Sequence, residues 1–365
     1  RLLDSSENNF HLGFPITPVI QNLSEIRLFA IPIEFSDSDN YRISYDQTKE
    51  IFSQVEKYYL KESYGKTKLS ISFPPTKGDS KEIQAISFGV NLKDTPFKVG
   101  FRFRDFNILS TVNDLLYKTP TDWNLENYDS VILYSQDYRT INMFGGTAWR
   151  GSETLSKRDQ TVFDSPSGKI HSLVFASANP YVITHELGHS MFGFIDLYDQ
   201  NSGQSFAQGW GLMAAAFTGE LNLRGWERWL AGWLIDEQIL CANLDTSYYI
   251  EFISTDSISP KLIIHPLSNQ KAIVIEAIDT NTITKESNGE LIMCDSKIIC
   301  SSPKSEGLLA YTVDVSKLSA LGAIVVPQEL RYPKLLASDW NISIEGVVVR
   351  NLGCDDKGCF VSLGR

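Results

Sequence analysis

The stretch NPYVITHELGHSMF, residues 179–192, constrains the fold more than any other part of this chain. Asn179 can accept hydrogen bonds from the first N–H groups of a helix, and Pro180 suits the first helical position because its missing N–H costs nothing there. The segment therefore predicts a helix that carries His185 and His189. Residues four apart lie on the same helical face, about 6 Å apart along the axis, so both imidazoles can reach one metal ion.

Glu186 directly follows the first histidine of this pair. Zinc binds imidazole nitrogen at about 2.1 Å, and a catalytic zinc commonly has three protein ligands and one open position. A carboxylate beside such an ion can take a proton from activated water and pass it to the leaving amine. Because the chain has only five histidines in 365 residues, this spacing is rare by chance. The sequence predicts a zinc site with Glu186 as general base and acid.

A third metal ligand is expected just after the helix. Gly193 can adopt the left-handed conformation that ends a helix and turns the chain back. Two carboxylates, those of Asp196 and Asp199, follow it. One of the two is expected to complete the site, and the other to be a solvated turn residue.

These residues resemble the metzincin clan, in which H-E-x-x-H-x-x-G-x-x-H/D is followed by a methionine turn. Within the clan the chain is most similar to the immune inhibitor A-like secreted metallopeptidases, whose pattern is H-E-x-G-H-x-x-G-x-x-D-x-Y-D. Further similar segments are IRLFAIPIEFSD, YYLKESYGKTKLSISF, GWGLMAAAF, WERWLAGWL and EGLLAYTVDV. The resemblance implies a secreted zinc endopeptidase with His185, His189 and Asp196 as ligands and Met213 below the metal.

One departure from the family pattern lies in the site itself. Gly193 and Asp196 follow His189 by four and seven residues, where the family has three and six. The chain therefore has one extra residue, and Phe192 stands at the family's glycine position. We expect the helix to end at Phe192 or Gly193, the added residue to bulge outward, and Asp196 to remain the third ligand.

The resemblance also bears on how a substrate is held. The segment KIHSLVFAS, residues 169–177, has the position of the edge strand that pairs with extended peptides in metzincins, although it could equally complete the sheet. Ala215 replaces a tyrosine that stabilises the oxyanion in some metzincins, and Tyr198 is either its substitute or a packing residue. A protein or peptide substrate is the expected partner.

The distribution of apolar residues predicts an α+β fold. Segments of strand type and helix type alternate before the histidines, at residues 26–35, 45–63, 68–73, 104–118 and 130–135. This order favours a mixed twisted sheet with helices packed on it, and the resemblance makes it a metzincin-like peptidase domain. From about residue 245, short β-type runs predict a β-sandwich-like region. We predict an N-terminal extension at 1–25, a catalytic domain at 26–244 and a β-rich domain at 245–365.

Charge and cysteine usage restrict partners and location. The net charge of -11 argues against a nucleic-acid partner, and no apolar run approaches the roughly 18–20 residues of a membrane helix. All five cysteines lie at or after residue 241. The close pairs Cys294/Cys300 and Cys354/Cys359 predict two disulfides with Cys241 free, which fits a secreted protein, and reduced thiols in a cytosolic protein are the alternative.

Other cofactors and functions remain open at this point. Calcium is a second candidate, because DLYDQNSG and EFSDSDN offer oxygen ligands, although neither has the EF-hand spacing and solvated loops are the alternative. A binding or adhesive protein could retain the metal helix without turnover, but the intact Glu186 argues against it. A zinc hydrolase of a small non-peptide substrate would need a closed pocket. The sequence favours a zinc-dependent endopeptidase.

Overall fold

The computed structural model describes residues 24–78, 82–92, 108–137, 139–140, 146–150, 163–199, 202–214, 221–279, 306–317 and 321–365. The fold is mixed α+β with several sheets and few helices, as predicted. The chain forms two compact units. The first unit comprises the described residues up to 193 except 62–64, and the second unit comprises 62–64 and the described residues from 194 onward.

The first unit contains one large sheet and one hairpin. Its strands are β1 (Glu25–Glu34), β2 (Lys68–Ser72), β3 (Ile86–Ser87), β4 (Ser130–Ser135), β5 (Gly146–Arg150), β6 (Phe163–Ser165), β7 (Gly168–Ile170) and β8 (Ser172–Ser177). Its α-helices are α1 (Tyr45–Glu62), α2 (Ile108–Leu116) and α3 (Pro180–Leu187). Short 3₁₀ turns lie at Thr121–Trp123 and Leu125–Asn127.

Strand order in the large sheet decides between the two alternatives for the segment 169–177. The order is β2-β1-β4-β8-β5, with β3 also paired to β1, and all pairs are parallel except β5 with β8. The segment contains β8, which lies between β4 and β5, so it completes the sheet and is not the edge strand. Among the described residues, Gly146–Arg150 forms the edge on this side. Position along the chain could not decide between the alternatives, because it does not determine which strand pairs on the outer side of β8.

Helices cover both faces of this sheet. Leu133 of β4 packs in a hydrophobic core with Val112 and Leu116 of α2. Successive residues of a strand point to opposite faces, and the ring of Tyr134 lies 5.1 Å from that of Phe52 in α1. The alternation along β4 therefore places α1 and α2 on opposite faces.

The second unit is rich in β-structure. Its strands are β9 (Ile239–Cys241), β10 (Thr246–Glu251), β11 (Leu262–Pro266), β12 (Lys271–Asp279), β13 (Glu306–Asp314), β14 (Ile324–Val325), β15 (Asn341–Ile344), β16 (Val347–Cys354) and β17 (Gly358–Gly364). Its helices are α4 (Gly225–Leu230) and the 3₁₀ turns Asp236–Gln238 and Gln328–Leu330. One sheet has the order β14-β13-β12-β11-β9, and the other β10-β17-β16-β15. The two sheets contact each other through β13 with β16 and β12 with β17.

The division into units differs from the predicted boundary near residue 244. β9 pairs in parallel with β11. The N–H of Gly225 donates to the Glu276 carboxylate at 2.9 Å, and the indole N–H of Trp210 donates to the Leu330 carbonyl at 2.6 Å. Residues 194–244 therefore belong with the β-rich unit. Local pattern places the boundary too late because these partners lie 51 and 120 residues further along the chain.

Part of the cysteine prediction is confirmed. Cys354 and Cys359 form a disulfide between β16 and β17, and Cys241 is free and exposed. The predicted pair Cys294–Cys300 lies outside the described residues, as does the predicted extension up to residue 23. Among the helices that the structure describes, none is long and apolar enough to cross a membrane.

A group of buried charged residues lies within the second unit. Glu62, Arg224, Glu227, Arg228 and Glu276 are each at most 3% exposed. Arg228 Nη2 lies 2.8 Å from Glu62 Oε2, and Arg224 Nη1 lies 3.5 Å from Glu276 Oε1. Glu227 Oε1 has no hydrogen-bond partner among the described residues. Burial raises the pKa of Glu227 to about 7, opposed by a hydrogen bond from the Arg224 N–H and by the charge of Arg224.

Stability should therefore depend on the ionisation of Glu227. The folded state favours the protonated carboxyl, so this stabilisation is complete below the unfolded pKa of 4.5 and is lost as the pH rises through about 7. Glu227→Gln removes the dependence. In urea titrations of metal-free protein, we expect the free energy of unfolding of Glu227→Gln to gain roughly 2–3 kcal/mol relative to wild type between pH 5 and pH 8.

The control for this experiment is Glu237→Gln, at an exposed position outside the group of buried charged residues. It should follow the wild-type pH profile. A Glu227→Gln profile parallel to wild type would show that Glu227 does not change protonation over this range.

Candidate metal centre

The helix that carries the two histidines begins as predicted. The Asn179 side-chain oxygen accepts hydrogen bonds from the N–H groups of Tyr181 at 2.9 Å and Val182 at 3.4 Å. Pro180 occupies the first helical position. This N-cap fixes where the helix begins, and hence which residues lie on its histidine face.

The extra residue is accommodated by a π-helical turn at Gly188–Phe192, which continues directly from α3. The N–H of Gly193 bonds to the carbonyls of both Gly188 and His189. The bond to Gly188 has the i→i+5 pattern of a π-turn, which contains one residue more than an α-turn. Gly193 has φ 69° and ψ 24° and ends the helix, as predicted. The ring of Phe192 packs 5.2 Å from that of Tyr59.

His185, His189 and Asp196 converge after this turn. Their ligand atoms lie within 4.8 Å of one another, and the two histidine Nε2 atoms are 3.1 Å apart. Two ligands bound to one tetrahedral ion at about 2.1 Å lie roughly 3.4 Å apart, so the histidine pair fits a single ion. His185 and Asp196 are buried and His189 is half-buried. The three side chains could hold a metal ion.

Asp199 has a different role from Asp196. Its carboxylate accepts hydrogen bonds from the N–H of Ser202 at 2.7 Å and the hydroxyl of Ser202 at 3.0 Å. Its backbone carbonyl accepts from the N–H of Gly203 at 2.7 Å. Asp199 therefore organises the turn that follows, and Asp196 is the carboxylate that lies beside the histidines.

Glu186 lies against the edge strand of the sheet. Its side chain is buried, with 6% exposure. A Cβ atom built on Gly146, the first residue of β5, would lie 2.3 Å from Glu186 Cγ. Sequence reasoning missed this neighbour, because a glycine in MFGGTAWR by itself indicates only a turn or a close approach. The candidate catalytic carboxylate is thus adjacent to the strand edge.

The segment with the predicted methionine turn runs beside the chain that leaves the helix. Met213 is fully buried, and its carbonyl accepts a hydrogen bond from the N–H of Leu197 at 2.8 Å. Tyr198 forms an isolated β-bridge with Ser205. Ala215, the residue at the family's tyrosine position, lies outside the described residues.

The carboxylates of the acidic turn EFSDSDN do not form a metal-ligating cluster among the described residues. Arg139 Nη1 lies 3.2 Å from Asp37 Oδ2, and Arg42 Nη2 lies 2.7 Å from Asp39 Oδ1. Across the described ranges, the His185 cluster is the one group of three or more metal-ligating side chains found. The segment DLYDQNSG falls partly outside those ranges.

No protein-family model matches this chain, and no curated protein matches it. Among solved structures, wild-type OgpA from Akkermansia muciniphila is similar to it, with a TM-score of 0.28 and 10% sequence identity. The match covers 90% of this chain and 96% of that chain. A similarity at this level indicates nothing about function.

Proposed function

We propose that this protein is a zinc-dependent endopeptidase of metzincin-like fold. The observation that carries the proposal is the convergence of His185, His189 and Asp196, with Glu186 on the same helix. The resemblance of the motif around His185 to the immune inhibitor A-like metallopeptidases implies the same function. The π-turn accounts for the extra residue, so the departure from the family spacing does not argue against a working site.

The donor set favours zinc over calcium. Two imidazole nitrogens and one carboxylate oxygen are usual zinc ligands, whereas calcium takes six to eight oxygen ligands. Three protein ligands also leave a tetrahedral ion with one open position, which is typical of catalytic sites and not of closed structural ones. The buried carboxylate of Asp196 would offset part of the charge of the ion.

The chain's own residues divide the chemistry between them. When bound, zinc supplies a Lewis acid that polarises a carbonyl and allows water to lose a proton near neutral pH. His185, His189 and Asp196 would hold the ion, and Glu186 would accept the proton of the attacking water. Glu186 would then donate that proton to the leaving amine nitrogen, which would complete cleavage of the peptide bond.

The free edge of β5 favours a peptide substrate. β5 ends the sheet, and its outer edge has no strand partner among the described residues. An extended peptide can add to such an edge through main-chain hydrogen bonds, which would bring it next to Glu186. A small-molecule hydrolase would need no such edge. The disulfide Cys354–Cys359 supports action outside a reducing compartment.

Digestion of casein or gelatin by the purified full chain tests the proposal. We expect cleavage at internal bonds, its loss after chelation, and its recovery when zinc is added back. Metal analysis of the active protein should find about one zinc per chain. Zinc binding without any proteolysis would favour a non-catalytic binding protein, and hydrolysis confined to small esters or amides would favour a hydrolase of small molecules.

A further inference from the structure

Gly146 occupies a position where a larger residue has no room. It is the first residue of β5 and pairs with Ala176 of β8. A Cβ atom at this position would lie 2.3 Å from Cγ, 2.8 Å from Cδ and 2.8 Å from Oε1 of Glu186. Non-bonded contacts this short do not occur in close-packed interiors, so either the strand or the glutamate would have to move.

The backbone does not require glycine here. Gly146 is not among the glycines with positive φ, so alanine could adopt its conformation without strain. What excludes a side chain at residue 146 is the space that Glu186 fills. Because Glu186 is itself buried, its carboxylate has few other places to go.

We infer that Gly146 is a positioning residue for Glu186: the missing side chain at the start of the edge strand allows the carboxylate to lie directly against that strand. The inference rests on the proposed function only where it assigns Glu186 the role of general base. A peptide that pairs with the outer edge of β5 would lie beside the strand that contacts the Glu186 carboxylate. A methyl group at residue 146 displaces that group and leaves the metal ligands in place.

A double-mutant cycle on the metal-free protein tests the contact without any activity. We expect Gly146→Ala to lower the Tm by several degrees in the wild-type background. In the Glu186→Ala background, which lacks Cγ and Cδ, the same substitution should leave the Tm unchanged or raise it. An alanine that fits the native backbone stabilises a protein by restricting the unfolded chain, so the sign of the effect should change.

Thr147→Ala is the matched control for this cycle. Thr147 follows Gly146 in the same strand but pairs with Phe175 and points to the other face. Its Tm shift should be the same with Glu186 and with Ala at residue 186. Equal Tm shifts for Gly146→Ala in the two backgrounds would overturn the inference. If Gly146→Ala fails to fold, folding of the double variant supports the inference, and failure of both variants overturns it.

Activity provides a second measurement. Zinc-loaded Gly146→Ala should lose on the order of 100-fold in kcat, because misplacement of a catalytic group by about 1 Å has an effect of this size. Its zinc content should match that of wild type, because no metal ligand changes. Wild-type kcat in the variant would overturn the positioning role. If wild type cleaves no peptide, the proposed function fails while the Tm cycle still decides the contact.

Discussion

Glu186→Gln is expected to lower peptide hydrolysis by about 10²–10⁴-fold while zinc content stays at the wild-type level. Glutamine has nearly the size of glutamate but cannot accept the proton of the attacking water. His185, His189 and Asp196 keep their ligand atoms, so metal binding should survive. The measurement is kcat/KM on an internally quenched peptide, combined with metal analysis of the same preparation.

Two further results complete this experiment. Glu329→Gln makes the same chemical change at an exposed position of the second unit and should retain wild-type turnover. Near-wild-type turnover by zinc-loaded Glu186→Gln would rule out Glu186 as the general base. A loss of both zinc and activity would instead mean that Glu186 supports the metal ligands.

Asp196→Ala should weaken zinc binding by at least about 100-fold and abolish hydrolysis at limiting zinc, because it removes one of three ligands. Asp199→Ala is the matched comparison, since it deletes the same group three residues later. We expect it to keep a zinc stoichiometry near one and to lower stability by about 1 kcal/mol, because the hydrogen bonds from Ser202 are lost.

Competition titrations with a chromogenic chelator would measure both zinc affinities, and urea titrations both stabilities. The opposite pattern, with zinc retained by Asp196→Ala and lost from Asp199→Ala, would place the third ligand at Asp199. Retention of zinc by both variants would mean that a residue other than Asp196 and Asp199 is the third ligand.

Local sequence predicted the elements around the site well. Asn179 and Pro180 predicted the helix start because an N-cap side chain accepts hydrogen bonds from N–H groups two or three residues further along the chain. Gly193 predicted the helix end because only a residue tolerant of positive φ stops the chain there without strain. The choice between Asp196 and Asp199 came from a family resemblance, since both carboxylates are compatible with the local pattern.

Features that depend on distant partners did not follow from local pattern. The segment 169–177 contains the apolar run LVFA, which suits a central strand as well as an edge strand. Its sequence therefore could not predict which strands lie beside it. The boundary near residue 244 follows a change in local pattern, whereas Gly225 and Trp210 bind groups far along the chain. The burial that raises the pKa of Glu227 likewise comes from residues remote in sequence.

The sequence by itself determined the helix, its cap, its left-handed end and the histidine spacing, because each depends on backbone geometry over a few residues. Only the tertiary structure decided that a π-turn absorbs the extra residue, that Asp196 lies beside the histidines, and that Gly146 makes room for Glu186. These features depend on packing between segments separated in the chain. Close packing between distant segments produces no local periodicity in the sequence, so a sequence pattern cannot predict it.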